Sequence, residues 1–181
     1  TYTAPTELDV EGNLVLPGFI DGHTHTCQQL LRGRTADEYP MIWTRFLVPF
    51  ESNLSPEDVR VSARLHCLEM IKAGFTAFAD AGGVHMDQVA EAVLKMGMRA
   101  ALCPSTMDMG NVVAGEMKRS TEDCIKATEE LYDRYQGTGE GRIDIWFGIR
   151  QLMTCSRKLV ETIVEQAERL DTGIHMHLCE H

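Results

Sequence analysis

Residues 55–80 read SPEDVRVSARLHCLEMIKAGFTAFAD, and this stretch decides the fold. Ser55 is placed to cap a helix, Pro56 suits its first position, and Asp58 stands three residues after the cap, where an acidic group is favoured. Val61, Leu65, Leu68 and Ile71 or Lys72 then follow a helical stripe, and Gly74 stops it. Phe75–Ala79 reads as a strand, ended by Asp80 and the turn Gly82-Gly83. A capped helix, a glycine and a strand in direct succession form one α/β repeat.

Working downstream, the same unit recurs. A helix is predicted from about Asp87 to Met96, with Val89, Val93 and Met96 on one side and Gly97 as its stop, followed by a strand over 98–103. A third helix begins near Ser120, with Asp123 at the capping distance and Cys124, Thr128, Leu131 and Tyr135 on one face. Gly137, Gly139 and Gly141 end it before a strand over 143–149. The last helix is capped by Ser156, carries Val160, Ile163, Val164 and Ala167 at helical spacing, and stops near Gly173 before a strand over 174–178. Strand, helix, strand with short turns implies right-handed parallel crossovers. Two segments break the rhythm: 26–54, with the aromatic stretch Met41 to Phe50 and partly helical, and 104–119, a long loop after the third strand. In parallel α/β folds, function gathers on loops at the carboxyl ends of strands.

Upstream, the apolar run 14–22 ends in His23-Thr24-His25. Residues two apart on a strand share a face, so both imidazoles can converge on one ion. Neutral imidazole is the usual ligand of zinc and related metals. A second pair, His175 and His177, ends the apolar stretch near the C-terminus. Two strand-borne pairs far apart in sequence suggest a single metal site of a metal hydrolase, with either His175 or His177 open as the ligand on periodicity alone. His66, in mid-helix, reads as a helix-packing or surface residue. His85, after the Gly82-Gly83 turn, is better read as outside the site, and His181 is not assignable.

Composition bounds the alternatives. The chain has 181 residues, 44% hydrophobic and 24% charged, with a formal charge of −10. That is a soluble globular composition, and its acidity argues against a nucleic-acid surface. No apolar run approaches the roughly 18 residues of a membrane helix, and no secretory leader opens the sequence. The six cysteines show no Cys-x-x-Cys and read as reduced, mostly buried small hydrophobes of a cytoplasmic protein.

The string Pro17-Gly18-Phe19-Ile20-Asp21-Gly22-His23-Thr24-His25 strongly resembles the first barrel strand of the amidohydrolase superfamily. His177-Leu178-Cys179-Glu180 is similar to its fifth strand, and Glu69–Asp80 is typical of the deaminase and chlorohydrolase branch. The resemblance covers about Leu14 to Glu180. It implies an α/β fold: the first five or so βα units of a (β/α)8 TIM-type barrel over 14–181, with a remnant of an N-terminal β-sandwich over 1–13. It implies His23, His25 and His177 as ligands of one divalent metal, zinc by default with iron as the alternative, His175 in a deeper layer, and Glu180 as the catalytic acid. Gln28 and Arg150 resemble the substrate-binding glutamine and arginine of guanine deaminases. Gln151 stands where a phenylalanine is usual, and the Pro-His sequence of adenosine-type deaminases is absent. The sixth-strand histidine and eighth-strand aspartate of the family are not in this sequence.

The expected function is therefore hydrolytic deamination of a small aminated heterocycle such as guanine, a related purine or a pterin. Within the same fold the rival is a chlorohydrolase or other amidine hydrolase. Of a different class is a non-catalytic remnant serving as an assembly module. Five parallel strands leave an open edge that proteins avoid. The chain is therefore expected to be part of a longer enzyme or to associate, as a homo-oligomer or with the missing barrel half, and to turn over little alone.

Overall fold

A computed structural model describes residues 4–35, 37, 38, 41–110 and 117–180. Six short strands run in the order β1 (Phe19–Thr24), β2 (Phe75–Asp80), β3 (Arg99–Leu102), β4 (Ile143–Ile145), β5 (Phe147–Ile149) and β6 (Ile174–Met176). The first four form one parallel sheet in sequence order, and β5 pairs with β6 in parallel. The helices are α1 (Val48–Ser52), α2 (Pro56–Lys72), α3 (Met86–Met96), α4 (Thr121–Tyr135), the single turn α5 (Thr138–Gly141) and α6 (Arg157–Leu170). Parallel strands in sequence order, alternating with helices, follow the path of the opening strands of a (β/α) barrel.

The single strand expected over 143–149 is divided at Trp146. Its first half pairs with β3 and its second with β6, while the Trp146 N–H still donates to Leu102 O at 2.9 Å. In a barrel the strands are staggered, so one strand meets its two neighbours along different halves of its length. Ile143, Ile145, Phe147 and Ile149 are all buried, and they fall at alternate positions toward the helices. Each such side chain contributes about 1.5–3 kcal/mol of burial.

The helix starts follow their caps. Ser55 Oγ accepts from Asp58 N–H at 3.2 Å, and the Asp58 carboxylate accepts from Ser55 N–H at 2.9 Å, a complete capping box. Ser120 and Ser156 cap α4 and α6 with their side chains, accepting from Asp123 N–H and Leu159 N–H. Ser55→Ala is expected to cost about 1 kcal/mol, read as a lower denaturation midpoint with an unchanged slope. A loss under a few tenths of a kcal/mol would show the cap to be idle.

The stripe expected on α2 needs correcting. Val61, Leu68 and Ile71 are each close to half exposed, and the buried face is Val59, Ser62, Ala63, His66 and Cys67. Small residues face inward because a polar anchor sits among them. Ser62 Oγ donates to Thr26 O at 2.6 Å and accepts from Gln29 N–H at 3.2 Å, fastening the chain just after β1 to α2. His66 is a packing residue, its ring edge-on to Phe78 at 4.9 Å. Five of the six cysteines are buried, and none of the six is in a disulfide.

Residues 26–54 are helical in pieces: a 3-10 stretch Thr26–Leu31, a wide turn Trp43–Leu47, then α1. Residues 4–18 hold no strand, so no β-sandwich element appears among the described residues. His181 and residues 111–116 of the long loop lie outside the described residues. Asp108, in the described part of that loop, accepts from Ser156 N–H at 2.6 Å, Ser156 Oγ at 2.5 Å and Thr121 Oγ1 at 2.7 Å. One carboxylate thus joins the loop to the first turns of α4 and α6.

Candidate metal centre

The strands deliver their chemistry at one edge. His23 lies within β1, His25 directly after it, Asp80 at the end of β2, Arg150 directly after β5, and His177 directly after β6. His23, His25 and His177 each offer a nitrogen within 4.8 Å of the others. His25 Nε2 and His177 Nε2 are 3.1 Å apart, with their rings parallel. Two nitrogens on a tetrahedral zinc, at about 2.0–2.1 Å each, stand about 3.3 Å apart, so this spacing suits a shared cation. His175 Nε2 lies 3.1 Å from His23 Nδ1, and His175 is not part of the set whose nitrogens all lie within 4.8 Å of one another.

The protonation of His25 and His177 suits the same chemistry. Burial, aided by the Arg150 charge, pulls the His25 pKa down to about 2, and the same two causes bring His177 down to about 4. Both are neutral near pH 7 and offer lone pairs. The His25 Nδ1–H donates to the Gly82 carbonyl at 2.7 Å, which leaves Nε2 for the cation. Among the described residues, His177 Nδ1 is buried without a hydrogen-bond partner. The residues present therefore fit a divalent metal held by nitrogen ligands.

A buried network braces the ligands. Asp80, 1% exposed, accepts from Thr26 N–H at 3.1 Å, from Thr26 Oγ1, and from Gly82 N–H at 3.0 Å. One carboxylate thus ties the residue after His25 to the turn that carries its carbonyl acceptor. Burial pushes the Asp80 pKa up to about 6.

Gln28 and Arg150 meet on Glu51, a residue the sequence reading did not single out. Gln28 Nε2 and Arg150 Nη2 both donate to Glu51 Oε1, the latter at 2.8 Å. Glu51 is fully buried and Arg150 2% exposed, while Glu51 Oε2 is buried with no partner among the described residues. The signal for Glu51 was a single carboxylate ending the apolar stretch 41–50. Gln28 lines a cleft of about 380 Å3 beside His23 and His25, and Arg150 is not among the residues lining it. The Arg150 guanidinium is turned onto Gly82, Ser105 and Glu51.

On the other side of the trio, Gln151, His177 and Glu180 line a second cleft of about 150 Å3. Gln151, 6% exposed, donates from Nε2 to the carboxylate of the exposed Glu180. His85 stands apart: its Nε2 lies 3.0 Å from Leu54 O, and it lines a separate cleft with none of the three histidines.

A 5'-deoxyadenosine deaminase of Methanosarcina barkeri is 36% identical over 179 residues, 98% of this chain and 40% of that protein. A 5-methylthioadenosine/S-adenosylhomocysteine deaminase of Syntrophomonas wolfei is 37% identical over 175 residues, covering 96% and 38%. The chain thus spans about two fifths of the length of these curated relatives. Among solved structures, an adenosine deaminase from Xanthomonas campestris with bound zinc superposes with a TM-score of 0.77 at 27% identity, over 89% of this chain and 36% of that one. A guanine deaminase from C. acetobutylicum superposes at 0.80 and 20% identity, over 96% and 44%, and shares the fold. The pattern of the Amidohydrolase family matches residues 14–181, taking in every histidine of the trio. With both histidine motifs at strand ends and the parallel sheet that brings them together, the chain belongs to the amidohydrolase family.

Proposed function

We propose that this chain carries the first part, residues 14–181, of a metal-dependent aminohydrolase acting on a small aminated heterocycle. The observation that carries the reading is the convergence of three imidazole nitrogens within 4.8 Å, flanked by the Glu180 carboxylate. His23, His25 and His177 would hold a divalent metal, zinc by default with iron as the alternative. When bound, the metal supplies Lewis acidity toward water and substrate.

The remaining chemistry belongs to the side chains. Glu180 delivers a proton to the ring nitrogen next to the amine-bearing carbon and helps carry protons to departing ammonia. Gln151 holds the Glu180 carboxylate by its amide N–H. Gln28 faces the cleft beside His23 and His25, where an amide can both donate to and accept from a heterocycle. Sequence likeness to 5'-deoxyadenosine and methylthioadenosine deaminases favours an adenosine derivative over guanine as the first substrate to try. The fold is also shared with an atrazine chlorohydrolase from Arthrobacter aurescens complexed with zinc, at 22% identity and a TM-score of 0.80 over 91% of this chain and 41% of that one. Halide release is accordingly the second reading.

An exposed apolar surface supports the same reading. Leu14, Val15, Leu16, Phe19 and Ile20, before and along β1, are all more than half exposed, a surface suited to the rest of a barrel or to another copy. No helix among the described residues is long and apolar enough to cross a membrane. A cytoplasmic location is part of the proposal.

The test loads the complete enzyme that includes this chain with zinc and measures ammonia release from 5'-deoxyadenosine, methylthioadenosine, guanine, 8-oxoguanine and pterins, and chloride release from chlorotriazines. Ammonia release that a chelator abolishes and zinc restores is the expected result. Chloride release alone would replace the deaminase reading. Stoichiometric folding without metal uptake or turnover would favour a non-catalytic assembly module.

A further inference from the structure

Gly82 O accepts two hydrogen bonds: from His25 Nδ1 at 2.7 Å and from Arg150 Nη1 at 3.1 Å. The same Nη1 donates to Ser105 Oγ at 2.9 Å, and Nη2 donates to Glu51 Oε1 at 2.8 Å. We infer that Arg150 is a positioning residue for the metal centre, fixing through the Gly82 carbonyl the tautomer and direction of His25. The inference rests on the metal-centre reading and goes beyond it by giving Arg150 a role other than substrate contact.

The argument is one of satisfied geometry. An imidazole presents one nitrogen as a ligand only if the other holds the proton, so the acceptor of that proton sets which nitrogen faces the cation. A peptide carbonyl held from one side only can swing; one held by a second donor from a rigid fork cannot swing freely. Arg150 is 2% exposed, its charge is balanced by a fully buried Glu51, and Ser105 braces the same nitrogen. A guanidinium spent on these three partners is held in place before any ligand arrives.

Zinc affinity of the purified protein, read by competition with a chromogenic chelator, tests this in wild type, Arg150→Lys, Arg150→Gln and the double variant Arg150→Met/Glu51→Met. The double variant removes both buried charges and guards against a protein that fails to fold when Glu51 is left unpaired. Circular dichroism checks the fold of each. The expected result is a zinc affinity lower by roughly 10- to 100-fold in Arg150→Gln and in the double variant, with Arg150→Lys between them and wild type. In the metal-free protein, long-range 1H–15N correlations should show His25 protonated on Nδ1 in wild type and a mixture of tautomers in Arg150→Gln. Unchanged zinc affinity with a raised KM would overturn the inference and return Arg150 to direct substrate contact. Wild-type protein that takes up no zinc would overturn the metal-centre reading itself, and this inference with it.

Discussion

Glu180→Gln is expected to lower kcat for ammonia release by roughly a hundred- to ten-thousand-fold, the range of a positioned general acid or base. Zinc content and thermal midpoint should stay at their wild-type values. The amide keeps the size of the side chain and can still meet the Gln151 side chain, but it has no proton to give and none to take. Glu180 lies three residues beyond His177 on the same stretch of chain, so the proposed acid and a proposed metal ligand are placed by one strand end. Gln151 stands directly after Arg150, so the group that holds the Glu180 carboxylate and the group that donates to the Gly82 carbonyl beside His25 are sequence neighbours. A variant with wild-type kcat and full metal content would remove Glu180 from the chemistry.

The second large effect falls on stability. Glu51→Gln leaves the Arg150 guanidinium buried without its counter-charge, and breaking a buried pair in this way costs roughly 3–5 kcal/mol. For a chain of this length that is a fall of about 6–20 °C in Tm, at roughly 2–4 °C per kcal/mol. The reason is asymmetry: an intact buried ion pair adds little over an apolar pair of the same shape, but half of one is expensive. Both partners here are at most 2% exposed, so solvent does little to screen the loss. Denaturant unfolding of Glu51→Gln beside the double variant measures it. A single variant within 1 kcal/mol of wild type would mean that Arg150 finds other partners.

How much of this was legible in the sequence depends on whether the signal was local. Ser55, Ser120 and Ser156 predict helix starts because a cap and its partner lie within one turn, and all three serines accept the expected backbone N–H. The order and sense of the strands follow from alternation with short connections, and the sheet pairs in that order. Periodicity misplaced the buried face of α2, because it counts apolar residues and cannot see that Ser62 is needed inside as an anchor for Thr26. It joined β4 and β5, because a strand's change of partner at Trp146 depends on the stagger of its neighbours and not on its own residues.

In the site, the His-x-His spacing announced itself, since two residues on one strand face are a local pattern. Periodicity left His175 and His177 equivalent. Their difference arises from what faces each: His23 Nδ1 for one, His25 Nε2 for the other. Glu51 was illegible for the same reason. Its partner, Arg150, is 99 residues away, and nothing near either of them in sequence records the pairing.

The Gly82 peptide has a consequence for how this sequence can drift. Its N–H is committed to Asp80, its oxygen to His25 and Arg150, and its φ of +102° lies where side chains are rarely tolerated. A Cβ there would also stand 3.1–3.3 Å from Ser105. Neutral wandering at this position is closed by folding and by ligand geometry at once, although it has no side chain through which selection could see it. Innovation in the pocket is left to residues such as Gln28 and Gln151, whose side chains reach the clefts.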